Sequence, residues 1–473
     1  MSHKEESLKF LEAYPNYKST EKLDALRAND YARLDRLGQI YLDYTGGGLY
    51  AESQIAKHQE ILQNNVFGNP HSTNPTSMAA TKLVDSARAY VLEFFKADPA
   101  EYEVIFTANA SGALKLVGES YPFDENGRYM LAFDNHNSVN GLREFAHARG
   151  AAVTYLPVSL PEMRLPYDQL EDAWKHPEGH KQANPNGHNL FSFPAQSNFS
   201  GVQHPLEWIA DAKSYGWDVL LDAAAFVPTN QLDLSRYAPD FVVLSFYKLF
   251  GYPTGLGALI VRREALGKLQ RPWFAGGTIT VASVQGETHY MAEGHAAFED
   301  GTVDYLNIPA VEIGLRHIAE VGYDAIHERV TCLAGWMIDN LSQIKHSTGE
   351  PLVHIYGPLD TEMRGGTIAA NFYNKDGVAF NHRYIEEETN KLNISLRTGC
   401  FCNPGAGEVA LELEETELIT CFSQPRNKQR LSFDDFALCF DGEASGAVRI
   451  SVGIASNFAD VQHFLNFMRG LLE

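Results

Sequence analysis

Short apolar, β-branched runs alternate along the chain with segments of helical period, and that alternation predicts the architecture. Val104-Ile-Phe-Thr107, Tyr129-Met-Leu-Ala-Phe133, Ala152-Val-Thr-Tyr155, Asn189-Leu-Phe-Ser-Phe193, Asp218-Val-Leu-Leu-Asp222 and residues 241–246 each read as one buried strand. Gly251, Pro253, Gly255 and Gly257 then break the pattern into a loop, and Ala258-Leu-Ile-Val261 leads back inside. Helices are expected from Asn109 to Glu119 and from about 308 to 345. Residues 1–38 are polar with helical spacing and read as a packing arm, and the polar span 160–188 reads as surface. Strand and helix-strand units follow over 352–373 and 380–397, and Arg449 lies on a short alternating strand. The pattern is α/β, with a mostly parallel sheet covered by helices on both faces.

Length changes this picture in one respect. The chain has 473 residues, more than one core usually serves. We expect an N-terminal arm shared with the small domain (1–50), a large domain (51–310) and a smaller α/β C-terminal domain (311–473). A formal charge of −22 argues against nucleic acid or an anionic membrane as partner. No apolar run approaches ~20 residues, so no membrane span is expected. The start, Met1-Ser-His-Lys-Glu-Glu, lacks the apolar core of a signal peptide. Five cysteines without a Cys-x-x-Cys do not make a disulfide framework, and a cytoplasmic location fits.

The chemistry centres on Lys248. A lysine at the end of a buried strand can be desolvated and its pKa lowered, which makes Schiff-base chemistry accessible. Asp222 ends a neighbouring buried strand. This pairing suits pyridoxal 5'-phosphate, whose ring nitrogen needs a carboxylate and whose aldehyde needs an amine. Asn-Ala-Ser-Gly opens the helix at 109, where free N–H groups and the helix dipole make an anion site. Arg449 carries a planar fork suited to a carboxylate. Singly, each reads as readily as a solvated lysine, a helix cap or a surface arginine. The run Thr45-Gly-Gly-Gly48 is not a phosphate loop, since no Gly-Lys-Ser/Thr follows.

Their order along the chain is more specific. Tyr41-Leu-Asp-Tyr44, Asn69-Pro-His-Ser72, residues 106–117, Leu221-Asp-Ala-Ala224, Ser245-Phe-Tyr-Lys248, Phe298-Glu-Asp-Gly-Thr302 and Arg397-Thr-Gly-Cys-Phe-Cys-Asn-Pro-Gly405 run in the order of a known group. The chain resembles the class V, fold-type-I enzymes that use pyridoxal phosphate. Within them it is most similar to the cysteine desulfurase domain of molybdenum cofactor sulfurase. The resemblance implies a seven-stranded, mostly parallel sheet in the large domain and a homodimer.

The same resemblance assigns roles to residues. Ala110, Ser111 and Gly112 hold the cofactor phosphate, with Ser245 adding a contact and Thr278 reaching a partner subunit's phosphate. His136 lies on the cofactor ring, Asn198 bonds its phenolic oxygen, Asp222 its ring nitrogen, and Lys248 its aldehyde. The glycine run at 46–48 lines the substrate side of the pocket. His71 is placed near the mouth without a role, and Tyr247 stands where histidine is common. Ala225 replaces a glutamine frequent in cysteine desulfurases, a departure that implies a different bond set on the phenolic oxygen.

The reaction hangs on residues 397–405. The resemblance places the catalytic thiol at Cys402 and implies attack on the sulfur of L-cysteine, leaving a persulfide and alanine. Arg397 is a candidate to lower that thiol's pKa and to help bind substrate. Buried small hydrophobes, or a poorly supported zinc pair, are alternatives for Cys400 and Cys402. Gly407 stands where sulfurases usually have a third cysteine. The chain ends at Glu473, soon after Arg449, so a further cofactor-binding domain is not expected. The sulfur would pass to a separate protein or to molybdenum cofactor. Another class V reaction (a C–S lyase, decarboxylating aldolase or aminotransferase) is the alternative function, and a non-catalytic scaffold is a third.

Overall fold

The computed structural model describes residues 3–176, 188–424, 431, 435–436, 439 and 446–472. Fifteen strands occur among them. They are β1 (Ile40–Tyr41), β2 (Tyr102–Thr107), β3 (Arg128–Ala132), β4 (Ala152–Leu156), β5 (Asn189–Pro194), β6 (Asp218–Asp222), β7 (Phe241–Ser245) and β8 (Gly257–Arg262). After these come β9 (Ile279–Ser283), β10 (Thr288–Met291), β11 (Val353–Tyr356), β12 (Thr367–Phe372), β13 (Ile394–Ser395), β14 (Arg397–Gly399) and β15 (Ala447–Ser451). Of the span read as surface, 177–187 lie outside the described residues.

The large sheet has seven strands in the order β2-β8-β7-β6-β5-β3-β4. All neighbours are parallel except β8, which runs against both β2 and β7. Reversing twice, the chain leaves β2, β3, β5, β6 and β7 at the same edge. The strands read as near-continuous apolar runs because both faces are covered. On one face Val104, Phe106, Phe191, Phe193, Leu221, Val242 and Leu244 join one core. Their alternates, including Ile105, Leu190, Leu220, Phe241 and Val243, fill a second. That is the period of two expected of a pleated strand.

A four-stranded antiparallel sheet, β11-β12-β15-β14, forms a separate core with the helix Tyr323–Leu341. The N-terminal segment joins this second body: β1 pairs with β13, and Phe10 packs its ring on Trp336 and Phe458. Buried Arg27 bonds Asp460 and the carbonyl of Ala455. The arm is therefore part of a core rather than a loose wrapper.

Two predicted elements differ in detail. The helix expected over 308–345 is two helices, Ile308–Val321 and Tyr323–Leu341. Gly322 separates them at φ 84°, a conformation that continues no helix and that residues with a Cβ avoid. The strand expected over 241–246 stops at Ser245, and Lys248 lies in one helical turn, Phe246–Phe250. Gly251, at φ 80°, ends that turn against the backbone of Leu49 and Tyr50.

Candidate active site

The sheet order explains which side chains meet. Strand β6 lies between β7 and β5, and β3 flanks β5. The loops leaving these strands carry Asp222 from β6, Lys248 from β7, Asn198 from β5 and His136 from β3. All four line one narrow cleft, with Pro194, Gln196, Ala224 and Ala225. A crevice beyond the carboxyl ends of parallel strands is where such folds place ligands.

Each group has a defined environment. Lys248 is partly buried, and its ammonium has no hydrogen-bond or ion-pair partner among the described residues. Burial pushes its pKa below the ordinary lysine value, with Arg449 and Arg397 adding to this and Asp222 and Cys402 opposing it. Asp222 is buried and accepts from the amide of Ala224 at 3.0 Å. His136 accepts the amide of Ser138 on Nδ1 at 3.1 Å, so the neutral ring carries its proton on Nε2. Burial and then the charge of Lys248 hold this histidine below its usual value.

Beside the cleft, Asn109 caps the helix Ala110–Ser120 by accepting from Gly112 at 2.9 Å. The amide of Ala110 donates to the hydroxyl of Ser245 at 2.9 Å, and the hydroxyls of Ser111 and Ser138 lie 2.6 Å apart. Ser245, Ser111, Ser138 and the helix N-terminus are thus gathered at one place. Hydroxyl donors at a helix N-terminus fit a phosphate. An unpaired, partly buried amine beside a buried carboxylate fits the aldehyde and ring nitrogen of pyridoxal phosphate. The chain's own residues therefore suit this cofactor.

The arginines are placed less simply than their sequence suggests. Arg449 is 2% exposed; it donates to the carbonyl of Asn198 and to Asp43, each at 3.0 Å, and its Nε is buried without a partner. Arg397 donates to the same Asp43, at 2.6 Å from Nη2, with Nε bonded as well. Asp43 therefore joins the two guanidinium groups. Arg397, expected to serve the thiol and the substrate directly, is held at this carboxylate. The motif containing Asp43 was conspicuous in the sequence, but no local pattern reveals a carboxylate shared between β14 and β15.

Cys402 is exposed, at the start of the turn into the helix Pro404–Ala410, and Cys400 is partly buried. Burial raises the pKa of the Cys400 thiol. Asn198, expected to bond the cofactor's phenolic oxygen, donates its amide to the carbonyl of Phe401 at 2.8 Å and accepts from Asn403 at 2.9 Å. The cysteine turn thus rests on a cleft residue. A Cβ at Gly407 would stand 4.0 Å from that of Cys400, the spacing of a disulfide pair, and glycine removes that option. The half-buried Tyr247 ring packs on Gly47.

Two predicted residues are not among those that line the cleft. Thr278 is buried, and its hydroxyl donates to the carbonyl of Ala275 at 2.9 Å. His71 lies against Gly277, on the same side of the molecule as that turn. Asn403 had no role assigned from sequence; the signal available was Asn followed by Pro, a helix-start pattern. Cys421 and Cys439 form one disulfide, which isolated cysteine spacing did not foretell. Among the described residues no helix is long and apolar enough to cross a membrane, and no three His, Cys, Asp or Glu side chains cluster for a metal.

Known proteins resemble this chain in sequence and in fold. Molybdenum cofactor sulfurase of Solanum lycopersicum is 38% identical over 99% of this chain and 59% of its own length. The human protein of that name is 37% identical over 94% of this chain and 51% of its own. The chain thus spans little more than half the length of these relatives. The apo structure of a cysteine desulfurase from Thermococcus onnurineus NA1 superposes with a TM-score of 0.76 at 21% identity, covering 95% of this chain and 98% of that one. The cysteine desulfurase CsdA from Escherichia coli gives 0.72 at 19% identity, over 95% and 99%. At such identities the likeness concerns the fold. The description "Aminotransferase class-V" matches residues 40–464, and the chain belongs to that family.

Proposed function

We propose that this chain is a pyridoxal-phosphate-dependent L-cysteine desulfurase that moves the substrate's sulfur onto Cys402 and releases alanine. The observation that carries the reading is the bond from Asn198 in the cofactor cleft to the turn bearing Cys402. An aminotransferase needs no thiol held against its cleft.

Bound there, the cofactor would supply an electron sink for charge developing at the substrate's α-carbon. The residues named for it are Lys248 at the aldehyde, Asp222 at the ring nitrogen, His136 at the ring, Asn198 at the phenolic oxygen, and Ala110, Ser111, Gly112 and Ser245 at the phosphate. Lys248, whose charged form burial disfavours, takes the α-proton on Nζ. The guanidinium of Arg449 receives the substrate carboxylate. The Cys402 thiolate attacks the substrate sulfur: an S–S bond forms, the Cβ–S bond breaks, and its electron pair stays with carbon, which takes a proton to become alanine. The imidazole of His136, carrying its proton on Nε2, is placed to move protons at the ring.

A homodimer is part of the proposal. Val281, Val284 and Tyr290 on the β9–β10 hairpin are exposed, as are Trp273 and Phe274 before it, and Thr278 is not among the residues that line its own chain's cleft. These features support a hairpin seated on a second copy. Pairing of β1 with β13 supports counting 1–50 with the small domain 311–473, and 51–310 as the large one. Cys402 must remain a thiol for this chemistry, and a cytoplasmic location is proposed from that requirement, with the Cys421–Cys439 disulfide as the observation against it; the sulfur acceptor is a separate protein or molybdenum cofactor.

The test is product analysis with L-cysteine on the loaded native protein and on Cys402→Ala. Alanine and a protein persulfide from the native chain, with neither from the variant, support the reading. Pyruvate and sulfide formed regardless of Cys402 would turn it toward a C–S lyase.

A further inference from the structure

The turn that presents Cys402 is strained. Phe401 and Cys402 both adopt left-handed backbone, at φ 54° and 55°. Side chains with a Cβ rarely take this conformation, and two in succession, one of them aromatic, hold it only when their surroundings impose it.

Those surroundings centre on one side chain. Asn403 is fully buried, and every polar atom of its amide is used. Its Oδ1 accepts the amide of Ala406 at 3.2 Å, capping the helix Pro404–Ala410. Its Nδ2 donates to the carbonyl of Asp134 at 2.7 Å and to Oδ1 of Asn198 at 2.9 Å. On either side of it, Asn137 donates its amide to the carbonyl of Cys402 at 2.7 Å, and Asn403 donates its own to Cys400 at 2.9 Å. Asp134 and Asn137 flank His136, and Asn198 lies in the cleft beside Lys248.

The Asn403–Asn198 bond does more than tie loops together. It fixes which way the Asn198 amide faces. With Oδ1 committed to Asn403, its Nδ2 must face the carbonyl of Phe401, leaving the second hydrogen of that nitrogen for an acceptor in the cleft. The same Asn198 also holds Arg449, through its backbone carbonyl.

We propose that Asn403 is a positioning residue that sets both the strained Cys402 turn and the amide orientation of Asn198, so that thiol and cofactor cleft are aligned as one unit. Its consequence for sulfur transfer rests on the desulfurase reading; its consequence for the turn does not.

Two substitutions separate the amide from the helix cap. Asn403→Asp keeps an oxygen for Ala406 but cannot donate to Asp134 and Asn198. Asn403→Ser keeps a capping oxygen without charge and is too short to reach both acceptors. In the cofactor-free protein, hydrogen exchange over 134–140 and 398–406 should quicken by about tenfold or more, with the rest of the chain unchanged. In the loaded protein with L-cysteine, kcat for persulfide formation should fall about tenfold or more while KM stays within about twofold, and Lys248 should still exchange the substrate α-hydrogen with solvent. Adding Phe401→Gly to Asn403→Ser should restore part of the lost rate, because glycine takes a positive φ without cost.

Unchanged exchange in both segments overturns the proposal. So does loss of α-hydrogen exchange in step with persulfide formation, or global unfolding of all three variants, since each describes a general scaffold residue. If the native protein forms no persulfide, the desulfurase reading fails, while the exchange measurement still decides what Asn403 holds.

Discussion

At the scale of single residues, Lys248 combines a titratable amine with a site that resists its charge. Burial lowers its pKa from the ordinary 10.5, so over the interval between the lowered value and 10.5 the folded chain binds fewer protons than the unfolded one. Stability then rises with pH across that interval. The charged amine costs stability below it, and the cost is gone above it. Cofactor-free Lys248→Met should therefore melt higher than the native chain near neutral pH, with the gap closing as pH approaches 10.5. Melting curves of both proteins at stepped pH measure this; a gap independent of pH would remove burial as the cause. Asp43 makes a second point at this scale. One carboxylate serves two arginines from neighbouring strands, so the chemistry of Arg397 and Arg449 is not separable.

At the scale of elements, breaks matter as much as the helices and strands they end. The helical period runs on through 308–345, and nothing in the apolar spacing marks an interruption. Gly322 marks it, with a backbone conformation at φ 84° and ψ 131° that an L-residue reaches only under strain. Gly322→Ala should lower unfolding free energy by about 1–3 kcal/mol, readable by denaturant titration, and leave the cleft's cofactor capture intact. The strand ends behave alike. Glycine at 251 stops the turn holding Lys248 where the Leu49–Tyr50 backbone leaves no room for a side chain. The cysteine turn is the opposite case: no glycine relieves Phe401 and Cys402, and hydrogen bonds from Asn198, Asn403 and Asn137 hold them instead.

At the scale of the whole molecule, two sheets and an N-terminal arm bring one site together from residues more than two hundred positions apart. The disulfide Cys421–Cys439 lies between the cysteine turn and the strand carrying Arg449. Its presence runs against a strongly reducing compartment. Cys332, Cys400 and Cys402 stand outside that disulfide as thiols. Thiol titration of the denatured chain without reductant should therefore count three, and full reduction should raise the count to all five cysteines. Five thiols before reduction would mean that the pair is open in solution and favour the cytoplasmic reading.

Much of this architecture is legible in the sequence. Apolar runs of strand length separated by helical segments dictate an α/β sheet, because only helices on both faces can cover strands apolar on both sides. Lys248, Asp222, His136 and Asn198 each follow such a run, and groups at parallel strand ends converge on one edge. What sequence could not supply was anything decided by contact across the chain. The sharing of Asp43 by Arg397 and Arg449, the clasp of Asn403 on Asn198 and Asp134, and the pairing of β1 with β13 depend on which surfaces meet. Local pattern records a residue's preference for helix, strand or turn and its side of an element. It does not record the partner, because hydrogen bonds between distant segments leave no period in the sequence. The sequence determined the fold class and nominated the candidate site; the tertiary structure decided which groups hold one another there.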